Sequence, residues 1–241
     1  PSEKVKTVEM PKAREGFELI AGKTPFSVVP GNHDYDASWS DSQFPPRATT
    51  PAEVDPNDLT SLGMLHVGGL KNFLSVFGAD TPFFKDQPWY VASNDGGADS
   101  AQVFEAAGYR FLHIGLQFDP PDTSLVWASS VIEQHKGLPT ILTTHDYMNR
   151  KGERLPSPVV DSYAVDPEQH NTPEMVWEKF VSQNDQIFLD TSMASPNAWM
   201  RTLPVTRSGR SSPTSRIAAR RPRMPGFSLP GQSASAMAGC A

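Results

Sequence analysis

Two apolar runs on either side of a helix-like segment constrain the fold of this chain most strongly. Residues 109–118 are almost continuously apolar, which is typical of a buried strand, and residues 139–144 form a second run of this kind. Between them, residues 125–135 favour a helix, with an N-cap expected within 122–124 and a stop signal at Gly137. A strand, a helix and a strand in this order predict a layered α/β fold.

Further segments extend the alternation of helix and strand. We predict helices at residues 13–21 and 70–77, and another that begins with Thr172 as N-cap and Pro173 in its first turn. Additional strands are predicted at residues 23–29, 100–106 and 186–189.

Polar side chains that can bind a metal ion follow two of the predicted strands. The tetrapeptide Gly31-Asn32-His33-Asp34 comes just after one strand, and His145 follows another. The carboxyl ends of parallel strands meet at one edge of a sheet, so we expect these segments to lie together. Amide oxygens, imidazoles and carboxylates all bind divalent cations. The alternatives are an ordinary polar turn at the tetrapeptide and a hydrogen-bonded strand-end histidine at His145.

The tetrapeptide resembles the Gly-Asn-His-Asp/Glu signature of the calcineurin-like metallophosphoesterases. His145 resembles the lone metal-ligand histidine that follows a later strand in that family, and the resemblance covers residues 13–189. It implies a metallophosphoesterase-type four-layer α/β sandwich, in which two sheets are flanked by helices. It also implies a hydrolase that acts on phosphate mono- or diesters with two divalent metal ions, drawn from Mn, Fe, Zn and Mg.

The resemblance assigns a role to each of four side chains. Asn32 and His145 are metal ligands by this resemblance, His33 is the general acid or transition-state stabiliser near the leaving group, and Asp34 orients His33. Two cations about 3.5–4 Å apart bind the phosphoryl oxygens and lower the pKa of a bridging water, which attacks in line. An Asn ligand adds no charge, so the site keeps enough positive charge to hold a phosphoester substrate.

Other metal-ligand turns of the family are missing from this sequence. The family has an Asp-x-His (or Gln) turn and a Gly-Asp turn upstream of the tetrapeptide, and neither occurs in usable form before Gly31. We therefore expect the chain to begin inside the domain. Residues 1–189 are then a partial metallophosphoesterase domain, with weak or absent metal binding and little turnover.

Residues 190–241 differ in composition from the rest of the chain. Every Asp and Glu lies at or before Asp190, and the only charged residues after it are arginines. The segment is rich in Ser, Pro, Ala and Gly without apolar periodicity, which predicts a disordered basic tail. A basic arm that recruits an acidic partner is the functional alternative.

A change of reading frame would explain both this composition and the absence of the family's Gly-His-x-His turn. The peptide Leu-Asp-Thr-Ser-Met-Ala at residues 189–194 can be encoded CTG-GAC-ACN-TCC-ATG-GCN. Read two bases later, that DNA encodes Gly-His-x-His-Gly, directly after a predicted strand, where the family carries this turn. We hypothesise that residues 190–241 are out-of-frame translation.

Charge and hydropathy exclude several classes of protein. The formal net charge of −6 argues against a general nucleic-acid binder, and no run approaches the roughly 20 apolar residues of a membrane span. Cys240 is the only cysteine, so the chain has no internal disulfide and no cysteine metal site. The sequence leaves open the substrate, the oligomeric state and the compartment, whether cytoplasmic or secreted and periplasmic.

A non-catalytic function is the main alternative to a phosphoesterase. The chain would then be a binding or scaffold protein that reuses the fold and binds a partner through residues 35–102, without metal. Among the other candidate residues, we expect His113 to be a core residue and Asp36 to lie in a solvated loop. Trp89 and Tyr90 are expected to line either a substrate cleft or a satellite core.

Overall fold

A single mixed sheet organises the residues that the structure describes. The computed structural model describes residues 5–36, 50–53, 68–148, 154, 170–193 and 201–204. The strands are β1 (Tyr90–Asn94), β2 (Asp99–Ala106), β3 (Tyr109–Gly115), β4 (Thr140–His145), β5 (Ile187–Met193) and β6 (Arg201–Pro204). The α-helices are α1 (Met10–Glu18), α2 (Lys71–Phe77), α3 (Asp122–Gln134) and α4 (Pro173–Lys179), and a π-helical segment, Val5–Glu9, precedes α1.

The six strands lie in the sheet in chain order, and the central ones are parallel. β3 pairs with β4 and β4 pairs with β5 in parallel, whereas β1–β2, β2–β3 and β5–β6 are antiparallel. Helix α3 connects β3 to β4, and α4 lies between β4 and β5 in the chain. The predicted α/β class and the predicted strand–helix–strand unit are therefore confirmed.

Side-chain alternation along the strands places the main core on one face of the sheet. Leu112 and Ile114 of β3 and Leu142 of β4 are fully buried in one cluster with residues of α3 and α4. Their neighbours Phe111 and Ile141 point to the second face, because side chains alternate along a strand, and they are only half-buried. The helices of this cluster therefore cover one face of the sheet.

A second, aromatic core lies beside the sheet. This core is formed by side chains from α1, α2 and the segments before β1, and the rings of neighbouring members are in contact. Its main aromatic members are Phe17, Phe26, Phe73, Phe77, Phe83, Phe84 and Trp89. Trp89 and Tyr90 pack against this core while remaining partly exposed, and Trp89 also lines a surface pocket with Val103 and His135, so the structure is compatible with both alternatives.

The segment before the tetrapeptide is not the strand that its sequence predicts. Residues 25–31 have no secondary structure, although the amide of Phe118 donates to the carbonyl of Pro30 at 3.2 Å. The segment crosses β3 at Gly115, where a β-carbon would lie 2.6 Å from Cγ1 of Val29. β-branched residues favour an extended backbone, but a strand also requires a neighbour with which to form a ladder.

The predicted helix boundaries also differ from those observed. The first helix, expected at residues 13–21, is found at Met10–Glu18, and the N-cap of α3 is Pro121, with no capping side chain. Thr172 does cap α4, where its hydroxyl accepts from the amide of Met175 at 3.4 Å. Within the described segments, no helix is both long and apolar enough to cross a bilayer.

The division expected after residue 189 falls inside a strand. β5 continues to Met193, and β6 pairs with it in antiparallel register, with Leu189 opposite Pro204. Residues 194–200 and 205–241, which make up most of the predicted basic tail, lie outside the described residues.

Candidate metal centre

The tetrapeptide forms a tight turn closed by two hydrogen bonds. The amide of Asp34 donates to the carbonyl of Gly31 at 3.0 Å, and the amide of Gly31 donates to Oδ2 of Asp34 at 2.8 Å. Both bonds join the two ends of the turn, so its backbone is fixed by its own first and last residues. Asn32 and His33 occupy the two central positions.

The turn lies against His145 at the carboxyl end of β4. Oδ1 of Asn32 is 3.0 Å from Nε2 of His145, although the two residues are 113 positions apart in the chain. A β-carbon on Gly31 would lie 3.2 Å from both Cε1 and Nδ1 of the imidazole. Glycine therefore allows the backbone of the turn to approach the ring closely. The structure brings together the two side chains expected to bind metal.

Burial keeps the His145 imidazole neutral. Desolvation lowers the pKa of His145, and the nearby His33 lowers it further. The ring of Phe118 meets the imidazole edge-on, with centroids 5.7 Å apart, and contributes to this burial. A neutral imidazole is the form that binds a metal ion. In the hydrogen bond to Asn32, Nε2 is the donor, so its proton must move to Nδ1 before Nε2 can bind a cation.

His33 and Asp34 differ in exposure and in hydrogen bonding. His33 is exposed, whereas Asp34 is half-buried with its carboxylate turned back to the amide of Gly31. Burial raises the pKa of Asp34, while the Gly31 hydrogen bond and the charge of His33 oppose that rise. The Asp34 carboxylate is therefore hydrogen-bonded within the turn and interacts with His33 through charge.

No family model, curated protein or solved structure matches this chain.

The donor set of the described residues is small. Asn32 supplies one oxygen and His145 one nitrogen, and these two atoms are hydrogen-bonded to each other at 3.0 Å. Across the described ranges, no three His, Cys, Asp or Glu side chains are grouped so that they could hold a metal ion. These two residues fit neighbouring positions around one cation.

Asp36 stabilises a helix end. Its Oδ2 accepts from the amide of Lys71 at 2.8 Å and its Oδ1 accepts from the amide of Asn72 at 3.1 Å. These two amides belong to the first turn of α2, where a carboxylate satisfies donors that the helix leaves open. The expected solvated loop is thus replaced by a capping contact that ties the chain after the tetrapeptide to α2.

His113 belongs to a polar band across the second face of the sheet. Its Nδ1 lies 2.7 Å from Oε1 of Gln102 and its Nε2 lies 2.8 Å from Oγ1 of Thr143, which lies 2.6 Å from Oγ1 of Thr191. Burial lowers the pKa of His113 to about 4. The expected core position agrees with this burial, but the partners of His113 are polar side chains from the neighbouring strands.

Sequence reasoning missed the buried polar residues beneath the turn. Tyr35, Gln117 and Asp99 are all buried and form hydrogen bonds with one another or with the backbone. The burial of Gln117 could have been predicted, since it is a large polar side chain near the end of a nearly continuous apolar run. The burial of Asp99 could not have been predicted, because an acidic residue just after a glycine-rich turn normally faces solvent.

Proposed function

We propose that this chain carries part of the active site of a metal-dependent phosphoesterase. The observation that supports this proposal is the 3.0 Å contact between Asn32 Oδ1 and His145 Nε2. Two neighbouring ligands bound at about 2.1 Å from one metal ion are themselves about 3 Å apart. The turn and the end of β4 are therefore already spaced for a shared cation of the Mn, Fe, Zn or Mg type.

The surrounding residues favour phosphoester chemistry over simple metal storage. A cation held by Asn32 and His145 would polarise a phosphoryl oxygen and lower the pKa of a bound water. Asn32 is a neutral ligand, so it leaves the charge of the cation available to the substrate. His33 is exposed beside this point, where its imidazole can donate a proton to the leaving oxygen. Asp34 fixes the turn that carries His33.

The proposal includes the family's four-layer sandwich. The second face of the sheet carries half-buried apolar side chains, among them Phe104, Phe111, Ile141 and Leu189. The rings of Phe104 and Phe111 stack with centroids 5.5 Å apart, which makes this an aromatic surface suited to packing. A second sheet packed on this face would bury it, as in the expected fold.

A manganese-binding comparison tests the metal site. We expect weak Mn²⁺ binding by the full chain in an EPR titration, and a further loss of at least about tenfold in Asn32→Ala and His145→Ala, because each change removes one of two ligands. His135→Ala is the matched control, since His135 lies at the C-terminal end of α3 and contributes nothing to the turn. Equal Mn²⁺ binding in all four proteins would refute the site and favour the non-catalytic alternative.

Hydrolysis of a chromogenic phosphodiester and of a phosphomonoester tests the activity. With Mn²⁺ present we expect slow turnover by the full chain, because only two ligands converge in the described residues. His33→Gln should reduce that residual rate more than it reduces Mn²⁺ binding. Rapid hydrolysis would contradict the expectation that the centre is incomplete.

A further inference from the structure

A buried hydrogen-bond network lies beneath the tetrapeptide and connects it to the sheet. The hydroxyl of Tyr35, which directly follows the turn, lies 3.1 Å from Oε1 of Gln117 and 3.0 Å from the carbonyl oxygen of Phe118. Tyr35 is only 5% exposed. The hydroxyl proton is therefore shared between two acceptors at the carboxyl end of β3, where water cannot replace them.

Asp99 fixes the orientation of Gln117. The amide of Gln117 donates to Oδ1 of Asp99 at 2.9 Å, and its side-chain Nε2 lies 3.3 Å from Oδ2 of Asp99. Nε2 also donates to Oγ of Ser124 at 3.2 Å. Because these contacts occupy the nitrogen end of the Gln117 amide, its oxygen end must face the Tyr35 hydroxyl.

The rest of the network holds Asp99 itself. Ser124 of α3 donates to Oδ2 of Asp99 at 2.6 Å, and Nδ2 of Asn94 in β1 donates to the same oxygen at 2.9 Å. Asp99 is fully buried, and its two oxygens accept four hydrogen bonds from three residues. A buried carboxylate with this many donors is a rigid anchor, since displacing it would leave several buried groups unpaired.

Packing transmits the position of Tyr35 to the candidate metal ligands. The ring of Phe118 lies between the other two rings, with its centroid 6.4 Å from that of Tyr35 and 5.7 Å from that of His145. The amide of Phe118 also donates to the carbonyl of Pro30, just before the turn, at 3.2 Å. The turn is thus attached to the end of β3 both before Gly31 and after Asp34.

We propose that Tyr35 is a positioning residue, whose hydroxyl, held by Gln117 and Phe118 and through them by Asp99, keeps Asn32 within reach of His145. The effect of Tyr35 on metal binding rests on the proposed function. Its effect on the geometry of the turn does not. Tyr35 touches no substrate; it sets the distance between a side chain on the turn and a side chain on β4.

Hydrogen exchange in Tyr35→Phe tests, without metal, whether Tyr35 holds the turn in place. Phenylalanine keeps the ring and removes only the anchoring oxygen. We expect the amides of Gly31 and Asp34, which close the turn, to exchange about 3- to 10-fold faster, as the loss of one buried hydrogen bond implies. The amides of Leu112 and Val103, bonded within the sheet, should change less than twofold.

The controls separate positioning from a general loss of stability. Tyr109→Phe is the matched control, because Tyr109 is 70% exposed and its hydroxyl can be lost without an internal cost. Gln117→Met should accelerate exchange of the same two turn amides, and combining it with Tyr35→Phe should add little. Equal acceleration at the turn and in the sheet, or none at the turn, would overturn the proposal.

Manganese titration then tests the consequence. Where the full chain binds Mn²⁺, Tyr35→Phe should weaken binding about 3- to 10-fold and Tyr109→Phe should not. Absence of Mn²⁺ binding by the unchanged chain would overturn the proposed function, while the exchange comparison would still decide the role of Tyr35. Unchanged Mn²⁺ affinity together with faster turn exchange would overturn the link between the network and the ligands.

Discussion

Two buried aspartates in the same sheet have opposite environments. Asp99 accepts hydrogen bonds from Asn94, Gln117 and Ser124, whereas neither carboxylate oxygen of Asp190 has a hydrogen-bond partner among the described residues. Burial raises the pKa of Asp190 to about 8, and the charge of Arg154 opposes that rise only in part. Burial raises the pKa of Asp99 as well, but its hydrogen bonds from Asn94, Ser124 and Gln117 oppose that rise. The two buried aspartates therefore differ in their hydrogen-bond partners.

Replacement of Asp190 by Asn should stabilise the protein at neutral pH. The pKa of Asp190 is 3.8 when unfolded and about 8 when folded, so the folded state holds a proton that the unfolded state has released between these values. The unfolding free energy of the unchanged chain therefore falls as pH rises from 4 to 8. We expect Asp190→Asn to remove most of this fall and to gain more than about 1 kcal/mol at pH 7.

Urea denaturation from pH 4 to 8 measures both effects. Asp99→Asn is the matched comparison and should lose about 1–3 kcal/mol, because an amide NH₂ would face donors that now bond to a carboxylate. A loss of stability in Asp190→Asn at pH 7, or an unchanged pH dependence, would contradict this account of Asp190.

Gly31 allows the turn to touch the His145 ring. An added β-carbon would lie 3.2 Å from two ring atoms and 3.3 Å from a third, closer than ordinary contacts. Gly31→Ala should therefore shift the imidazole, change its NMR signals and weaken Mn²⁺ binding severalfold. Gly16→Ala, in α1, is the control, since a β-carbon there meets nothing within 4 Å. Unchanged His145 signals in Gly31→Ala would show that the turn and ring do not meet in solution.

At the level of elements, the crossing of residues 25–31 over β3 positions the turn. Gly115 makes this crossing possible, because a β-carbon there would lie 2.6 Å from Cγ1 of Val29 and 3.1 Å from Oγ of Ser27. Among the described residues this segment has no ladder partner, so this close approach fixes its position over β3. The position of the candidate centre thus depends on a glycine in a strand that carries none of its ligands.

Gly115→Ala should displace the crossing segment. We expect a loss of about 1–3 kcal/mol in unfolding free energy, typical of overpacking against neighbouring side chains. Gly16→Ala should instead be neutral or stabilise by about 0.5–1 kcal/mol, because alanine is the better helix former. Denaturation of the two variants side by side checks this, and equal stabilities would argue against the observed crossing.

For the whole molecule, the changed reading frame stays a hypothesis, and Asp190 is the buried residue on which it bears most directly. Asp190 is a buried carboxylate without hydrogen-bond partners among the described residues, in a strand that pairs with β4. Natural sequences rarely place such a group in a core strand, since local and global preferences normally agree. A residue translated out of frame would have no reason to fit its site.

Sequencing the gene tests this hypothesis directly. We expect the frame two bases later to encode Gly-His-x-His from the third base of the Leu189 codon and to remain open well beyond it. Early stop codons in that frame, or codons that give no histidines, would reject the hypothesis. Activity of a protein made from the corrected frame would then become the relevant measure of the proposed phosphoesterase.

The sequence by itself determined most local elements of the α/β fold and the position of His145 at the end of a strand. Apolar periodicity reports burial within one segment, which is why the unit from β3 through α3 to β4 was predictable even though the N-cap of α3 was not. Only the tertiary structure decided that residues 25–31 cross β3 without pairing, that Asn32 meets His145 and that Tyr35 rests on Gln117. These contacts join residues far apart in the chain, and they depend on how whole elements pack rather than on any local pattern.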